Sequence, residues 1–133
     1  MIERTFPATD DQLPEILSLV EEEMDKADFS MKAIMQTTIS VEEVFVNIAH
    51  YAYPDGQDNM QLIIDVDDEK LSIRFIDHGI PFDPLAKDDP DISLSAEERG
   101  IGGLGIFMVK KYMDSVSYSR EDGNNIFTMT RNR

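Results

Sequence analysis

Three groups of residues in this 133-residue chain have the types and the spacing needed for chemistry. The first is Glu43 and Asn47, which are four residues apart and therefore stack about 6 Å apart on one face of a predicted helix. A carboxylate beside an amide can hold a hydrated cation and polarise a nucleophile. The pair taken alone also fits an exposed helical pair that has no function.

The second group follows a predicted strand and has the sequence Asp77-His78-Gly79-Ile80-Pro81-Phe82. A carboxylate at a strand end can accept a hydrogen bond from the exocyclic amine of a purine, which distinguishes donors from acceptors at that edge of the base. Gly79 removes a side chain where a flat ligand or a tight turn needs room. An ordinary turn at the end of a strand is the alternative.

The third group consists of glycines at the start of a predicted helix: Gly100, Gly102, Gly103 and Gly105. Glycine amides and a helix N-terminus together form a cradle for phosphates. The glycines also match the dinucleotide-binding fingerprint, but residues 93–99 are polar and acidic, whereas that fingerprint follows a buried strand. A P-loop is excluded because no Lys-Ser or Lys-Thr pair follows the glycines. A flexible hinge before the helix is the alternative.

Hydropathy periods and turn residues predict the elements that must position these groups. Thr9 to Asp11 offer caps for the first helix, and Ser30 caps the second. The predicted strands are 2–6 (an edge strand), 60–66, 71–75, 116–120 and 126–130, and the predicted helices are 13–27, 30–53 and 104–114. Because the strands group into antiparallel hairpins and the helices are few, this order indicates an α+β layer sandwich.

The composition excludes several classes of protein. The chain has 12 Lys and Arg against 27 Asp and Glu, a formal net charge of −15, and no cysteine. Disulfide scaffolds, cysteine-based zinc sites and thiol nucleophiles are therefore excluded, and direct binding to nucleic acid or anionic lipid is disfavoured. Residues 1–69 hold 17 acidic and three basic residues. This acidic half serves either solubility or the docking of a basic protein partner.

The length predicts one domain over residues 1–133. No apolar run reaches the roughly 18–20 residues that span a bilayer, and the N-terminus lacks the features of a signal peptide. The sequence therefore predicts a soluble, cytoplasmic protein.

The order and spacing of the three groups resemble those of the Bergerat-fold (GHKL) superfamily, which includes gyrase-type ATPases and the ATP-binding domains of histidine kinases. Glu43 and Asn47 resemble the N box, residues 77–82 resemble the first glycine box, and residues 100–105 resemble the second. Thr128 is placed like the superfamily's late threonine near the adenine. The compact length, without room for a transducer domain or a phosphoacceptor helix hairpin, resembles the anti-sigma-factor serine/threonine kinases.

This resemblance implies a two-layer sandwich of a mainly antiparallel mixed sheet with three helices on one face, and an ATP lid over residues 82–99. It also implies roles for the candidate residues. Asn47 would coordinate Mg²⁺, and Glu43 would orient or deprotonate the attacking hydroxyl. Asp77 would bind the adenine amine, and Gly79 would leave room for the base. The phosphates would be bound by Arg99 (the γ-phosphate), Gly100, Gly102, Gly103 and Gly105.

By the same resemblance, the chain is an ATP- and Mg²⁺-binding kinase that phosphorylates a serine or threonine of an antagonist protein and sequesters a sigma factor, and a homodimer is implied. Two other functions stay open. A non-catalytic module could switch a protein partner by ATP occupancy, or a structural interaction domain with a degenerate pocket could dock through its acidic half. ATP binding without phosphate transfer would favour the first, and the absence of an ATP-induced rise in melting temperature would favour the second.

Overall fold

The computed structural model describes residues 1–86 and 103–133 of the chain. Within these residues, strands and helices follow one another in the predicted order. The elements are β1 (Ile2–Pro7), α1 (Leu13–Lys26), α2 (Met31–Tyr51), β2 (Asn59–Val66), β3 (Lys70–Asp77), α3 (Gly103–Tyr112), β4 (Ser115–Glu121) and β5 (Asn124–Asn132). Two short 3₁₀ turns, Asp10–Gln12 and Pro84–Ala86, precede α1 and follow β3.

The strands form one sheet in the order β1-β2-β3-β5-β4. Each pair of neighbouring strands in the described residues is antiparallel. The predicted edge strand and both predicted hairpins are present, and β3 pairs directly with β5. The predicted α+β sandwich is confirmed, with an antiparallel sheet in place of the mixed sheet that the resemblance implies.

One face of the sheet forms the core together with the helices. Successive side chains of a strand point to opposite faces, and every second residue of the central strands is buried: Met60, Leu62 and Ile64 of β2, Leu71, Ile73 and Phe75 of β3, and Phe127 and Met129 of β5. The helices bury Ile16, Val20 and Met24 of α1, Val41, Val44, Phe45 and Ile48 of α2, and Val109 of α3. Removal of this apolar surface from water, at about 25 cal/mol per Å², is the main stabilising term.

The two long helices begin in different ways. The Ser30 hydroxyl accepts a hydrogen bond of 3.1 Å from the Ala33 backbone N–H, which confirms the predicted cap of α2. In α1 the cap differs from the prediction, because the 3₁₀ turn leads directly into the helix and the cap residue Gln12 makes no side-chain cap hydrogen bond. Pro14 lies in the first turn of α1, where its missing N–H would have no helical partner.

The helices end close to the predicted positions. α2 ends at Tyr51, two residues before the prediction, and Pro54 follows. α3 ends at Tyr112, with Lys110 and Lys111 in its last turn, where positive charge interacts favourably with the helix dipole. Among the helices of the described ranges, none is long and apolar enough to cross a membrane.

Candidate functional site

Two buried polar side chains face each other where β3 and β5 pair. The register places Asp77, the last residue of β3, directly opposite Asn125 of β5. Asp77 is 5% exposed and Asn125 is 6% exposed, and Asn125 Nδ2 donates a hydrogen bond of 2.9 Å to Asp77 Oδ1. Since the odd-numbered residues of both strands point toward the helices, this pair lies at the rim of the core on the helix side.

The two oxygens of the Asp77 carboxylate have different surroundings. Oδ1 accepts a second hydrogen bond, of 2.9 Å, from the Gly79 backbone N–H. Among the described residues none donates to Oδ2, and Asp77 lines a pocket between the sheet and α2. Oδ2 is therefore the oxygen that can accept a hydrogen bond from a ligand in this pocket.

The last two strands fix the turn that follows Asp77. Asn125 Nδ2 also donates to the Ile80 carbonyl at 2.8 Å, and the Tyr118 hydroxyl donates to Asn125 Oδ1 at 2.5 Å. The Arg120 guanidinium donates to the Gly79 carbonyl at 2.8 Å. Side chains of β4 and β5 therefore fix the positions of Asp77, Gly79 and Ile80 through hydrogen bonds.

Asn125, Tyr118 and Arg120 are residues of this site that the sequence analysis missed. The available signal was the alternation of β5, in which a polar residue occupies a core-face position two residues before the buried Phe127. The register that brings Asn125 opposite Asp77 is a long-range property of the fold, which the local pattern does not contain.

Thr128 does not reach this site, and its predicted place near the adenine is corrected here. It pairs with Arg74 of β3 and Ser117 of β4 and is adjacent in sequence to Phe127, which is buried on the helix side. Because successive side chains of a strand point to opposite faces, the Thr128 hydroxyl lies on the face away from the helices. Asn125 occupies the position beside Asp77 instead.

Gly79 permits the close approach of two backbone segments. A Cβ atom at this position would lie 2.1 Å from the Ala52 carbonyl oxygen, and the Ile80 N–H donates to that same carbonyl at 3.0 Å. The bare Cα of Gly79 therefore packs against the C-terminal end of α2. The direction of the missing side chain is thus occupied by the backbone at the end of α2, and room for a base beside Gly79 stays a prediction.

α2 brings Glu43 and Asn47 to the other side of the pocket. Asn47 lines the pocket together with Asp77, and Glu43 lies one turn earlier on the same helix face. Gly105, in the first turn of α3, packs against Glu43, since a Cβ atom there would lie 2.1 Å from Glu43 Oε2. The predicted pair is thus placed beside the start of α3.

Burial raises the pKa of Glu43 above the usual value of a glutamate, and the negative charge of Glu42 raises it further. The cause is that the charged carboxylate loses hydration in this position. A carboxylate with a raised pKa is a stronger base than a fully hydrated one, so Glu43 is suited to accept a proton from a hydroxyl.

The pocket itself is small and mostly apolar. Its polar groups include Asn47, Asp77, Tyr118 and Asn125, and its apolar lining includes Val44, Ile48, Ile106 and Phe127. Its volume is about 40 Å³, which is room for a few water molecules, whereas ligand pockets typically measure about 300–1,000 Å³. Entry of a planar base therefore requires lining side chains to move. Tyr51, Ile80 and Phe82 belong to the lining and are exposed, so their displacement leaves the core intact.

The other predicted residues lie at or beyond the limits of the described ranges. Arg99, Gly100 and Gly102 lie outside the described residues, as does the predicted lid from residue 87 onward. Gly103 is the first residue of α3, and the start of a helix favours anions through its N–H groups and its dipole.

Proteins similar to this chain include kinases named for action on serine. The serine-protein kinase RsbW of Listeria monocytogenes is 30% identical over 104 residues, which are 74% of this chain and 66% of that protein. The serine-protein kinase RsbW of Bacillus cereus is 25% identical over 126 residues, which are 92% of this chain and 79% of that protein. The chain thus spans just under two thirds of the length of the Listeria kinase.

A solved structure and a family profile complete the comparison. This chain superimposes on the crystal structure of the RsbU and RsbW domains of a Mycobacterium tuberculosis protein with a TM-score of 0.67 and 13% identity. The alignment includes 100% of this chain and 33% of that chain. This likeness concerns the fold alone. The profile of the histidine kinase-like ATPase domain matches residues 6–131. Because that match extends over nearly all of the sequence, the chain belongs to the histidine kinase-like ATPase domain family.

Proposed function

We propose that this chain is an ATP-dependent serine/threonine kinase of the anti-sigma type, which binds ATP with Mg²⁺ and phosphorylates a hydroxyl of an antagonist protein. One observation carries the proposal. The buried Asp77 carboxylate keeps an oxygen that no described residue donates to, in a pocket that Asn47 of α2 also lines. The relatives named serine-protein kinases support the class of reaction.

Asp77 would bind the base of ATP. The hydrogen bonds from Gly79 and Asn125 to Oδ1 fix the orientation of the carboxylate, so Oδ2 is available to the exocyclic amine of adenine. Guanine carries a carbonyl oxygen in the corresponding position, and an ionised carboxylate can only accept hydrogen bonds. A site built in this way discriminates strongly against the base without the donor, which supports ATP over GTP.

The phosphates would lie between Asn47 and the start of α3. The N–H groups of the first turn of α3, which begins at Gly103, favour anions. The side-chain oxygen of Asn47 is a ligand of the kind that Mg²⁺ takes. In the described ranges, no group of three His, Cys, Asp or Glu side chains could hold a metal ion. Mg²⁺ bound at Asn47 would therefore take its other ligands from phosphate oxygens and water, and would neutralise phosphate charge.

Glu43 would act as the base in phosphate transfer. The substrate hydroxyl oxygen forms a bond to the γ-phosphorus while the bond from that phosphorus to the β–γ bridging oxygen breaks, which releases ADP. The hydroxyl proton passes to the Glu43 carboxylate, whose pKa is raised by burial. The contact with Gly105 positions this carboxylate beside the first turn of α3.

A sigma factor and an antagonist protein are the proposed partners, and regulation of transcription in the cytoplasm is the proposed role. The resemblance to anti-sigma kinases supports this assignment. The net charge of −15 also favours partners with basic surfaces over nucleic acid.

Incubation of the chain with γ-labelled ATP, Mg²⁺ and the candidate antagonists encoded beside its gene tests the proposal. We expect phosphoserine or phosphothreonine on one antagonist, located by mass spectrometry. Glu43→Gln is expected to slow the transfer at least about 100-fold, because it removes the proton acceptor, while ATP affinity is kept. Glu69→Gln is the control for loss of an acidic side chain, since Glu69 is an exposed carboxylate at the turn between β2 and β3.

Equal transfer rates for Glu43→Gln and the unaltered chain would contradict the assignment of the base. Calorimetric titration with ATP, with and without Mg²⁺, separates the other functions. ATP binding without phosphate transfer to any antagonist would contradict the kinase proposal and favour a nucleotide-dependent binding module. An absence of ATP binding would overturn both.

A further inference from the structure

Apart from Met1, the large apolar side chains that the described residues expose occur in two places. Tyr51, Ile80 and Phe82 line the pocket of the proposed kinase site. Met31 and Met35 lie at the start of α2 and are 85% and 54% exposed. Tyr51, Ile80 and Phe82 are therefore part of the proposed kinase site, whereas the two methionines have no role in that proposal.

The methionines form one side of a groove between α1 and α2, which we call the acidic groove. Its principal residues are Glu21, Glu22 and Asp25 of α1 and Met31, Ile34 and Met35 of α2. The connection from α1 to α2 is short, so the end of α1 lies beside the start of α2, as in other helical hairpins. The groove has a volume of about 660 Å³.

The two sides of the acidic groove differ in chemistry. Met31, Ile34 and Met35 have the i, i+3, i+4 spacing of one helix face and form an apolar stripe. Glu21, Glu22 and Asp25 form an acidic row along α1, and none of the lining residues that the structure describes is basic. The acidic groove therefore presents exposed apolar surface directly beside a row of negative charge.

We propose that the acidic groove binds a basic amphipathic helix of a protein partner. The apolar face of that helix would cover Met31 and Met35, and its Lys or Arg residues would pair with Glu21, Glu22 and Asp25. Methionine side chains are flexible and polarisable, and they occur at surfaces that accept helices in a groove. The excess of acidic residues in 1–69, 17 against three basic ones, attracts a basic partner.

The acidic groove is separate from the pocket that Asn47 and Asp77 line, which we call the nucleotide pocket after its proposed ligand. Met31 and Asn47 are 16 residues apart on α2, which corresponds to about 24 Å along the helix axis. Both surfaces can therefore be occupied at the same time. The docking proposal does not depend on the kinase proposal, and each can fail without the other.

The test uses the full chain labelled with ¹⁵N and two synthetic peptides of leucine and lysine. One peptide has leucines at the i, i+3, i+4 spacing of a helix face, and the other has the same composition in scrambled order. We expect the amphipathic peptide to bind at least about tenfold more tightly than the scrambled one. Amide resonances of residues 18–38 should shift, and the affinity should decrease as ionic strength rises.

Substitutions at exposed positions identify the groove. Met31→Lys/Met35→Lys and Glu21→Lys/Glu22→Lys are each expected to weaken binding of the amphipathic peptide about tenfold or more. Asp68→Lys/Glu69→Lys makes the same change of charge as the glutamate pair, but at the exposed turn between β2 and β3. This matched control is expected to weaken binding less than about twofold, because distant charges are screened.

Equal losses in the groove variants and the control would indicate general charge attraction and would overturn the proposal. Resonance shifts confined to residues of the nucleotide pocket would also overturn it. Sedimentation equilibrium of the chain alone gives the third outcome. A dimer that Met31→Lys/Met35→Lys dissociates would make a second copy of this chain the occupant of the groove, and the partner helix would be rejected.

Discussion

The nucleotide selectivity of the proposed site depends on a single carboxylate oxygen of Asp77. Asp77→Asn keeps an acceptor for Gly79 and Asn125 but replaces Oδ2 by an amide donor, which would face the donor amine of adenine. We expect ATP affinity to fall about 10–100-fold, because a hydrogen bond to a charged group contributes about 1.5–3 kcal/mol. The preference for ATP over GTP should disappear. Calorimetric titration with both nucleotides measures this, and unchanged ATP affinity would contradict the role of Asp77.

Asn125 and Thr128 test the corrected composition of the site. Asn125→Ala removes the donations to Asp77 and Ile80 and leaves the Tyr118 hydroxyl without its acceptor. We expect the free energy of unfolding to fall by about 1–3 kcal/mol, together with a weaker preference for ATP. Thr128→Ala, on the opposite face of the sheet, should leave ATP affinity within about twofold. Chemical denaturation measures the stability of both variants, and nucleotide titration measures their ATP affinity. A loss of ATP affinity in Thr128→Ala but not in Asn125→Ala would assign the site to Thr128 as first predicted.

The raised pKa of Glu43 predicts that the proposed catalytic base lowers stability at neutral pH. A carboxylate whose pKa is higher in the folded state stabilises the fold below its unfolded pKa, and that contribution is lost as the pH rises through the folded pKa. Glu43→Gln does not titrate, so it should be more stable than the unaltered chain at pH 7, by less than about 1 kcal/mol for a partly hydrated group. Thermal unfolding from about pH 4 to pH 7 measures this difference, which should close toward the acid end.

Glu69→Gln, at the exposed turn between β2 and β3, is the control for loss of an acidic charge. It should give no comparable gain in stability. If Glu43→Gln proved less stable than the unaltered chain at pH 7, burial of the charged carboxylate would not be the unfavourable term that the raised pKa of Glu43 indicates.

At the scale of elements, two glycines join α2 to its neighbours and respond differently to the same substitution. In Gly105→Ala the new methyl group meets Glu43 Oε2, the end of a flexible side chain that can turn away. The fold should be kept and α3 should gain up to about 1 kcal/mol in helix propensity. Phosphate transfer should fall at least about tenfold, because the carboxylate leaves its position.

Gly79→Ala is the matched comparison, because its methyl group meets the backbone carbonyl of Ala52, which cannot turn away. We expect a loss of about 1–3 kcal/mol in the free energy of unfolding, as for other overpacked positions. Thermal unfolding and the transfer assay distinguish the two variants. A Gly79→Ala protein with unchanged stability would show that the contact between the turn and α2 is dispensable.

The elements themselves are predictable because their signals are local. α2 has a 3.6-residue apolar period and the cap residue Ser30, and β2 and β3 have an apolar residue at every second position over residues 60–66 and 71–75. The pairing of β3 with β5 is not local, since α3 and β4 lie between them in the sequence. A shift of one residue in such a pairing moves a side chain to the other face. For this reason the sequence could place Asp77 at the end of its strand but could not choose Asn125 over Thr128.

On the scale of the whole molecule, the sequence predicts a negative net charge but does not predict which surface would bind a basic partner. The acidity of residues 1–69 indicates a basic partner, yet Met31 and Met35 have the residue type and the spacing of core positions. Only their exposure in the fold distinguishes them from buried methionines such as Met24. α2 therefore carries two separate surfaces, the acidic groove at its start and Asn47 near its end.

The net charge of −15 is also expected to slow the association of an anionic nucleotide. Repulsion between like charges extends about 30 Å at 0.01 M ionic strength and about 8 Å at 0.15 M. We therefore expect the association rate constant of ATP to rise several-fold between these ionic strengths. The dissociation rate should change little, because the hydrogen bonds to Asp77 and to backbone groups act at short range. Stopped-flow measurements with a fluorescent ATP analogue give both constants.

Binding of the basic peptide to the acidic groove supplies an internal control for this salt dependence. The same protein in the same buffers should bind the peptide more weakly and the nucleotide faster as salt is added, because the two ligands have opposite charge. A general effect of salt on the fold would change both in the same direction. Nucleotide association that slows with added salt would mean that cationic groups near the pocket outweigh the net charge, contrary to this prediction.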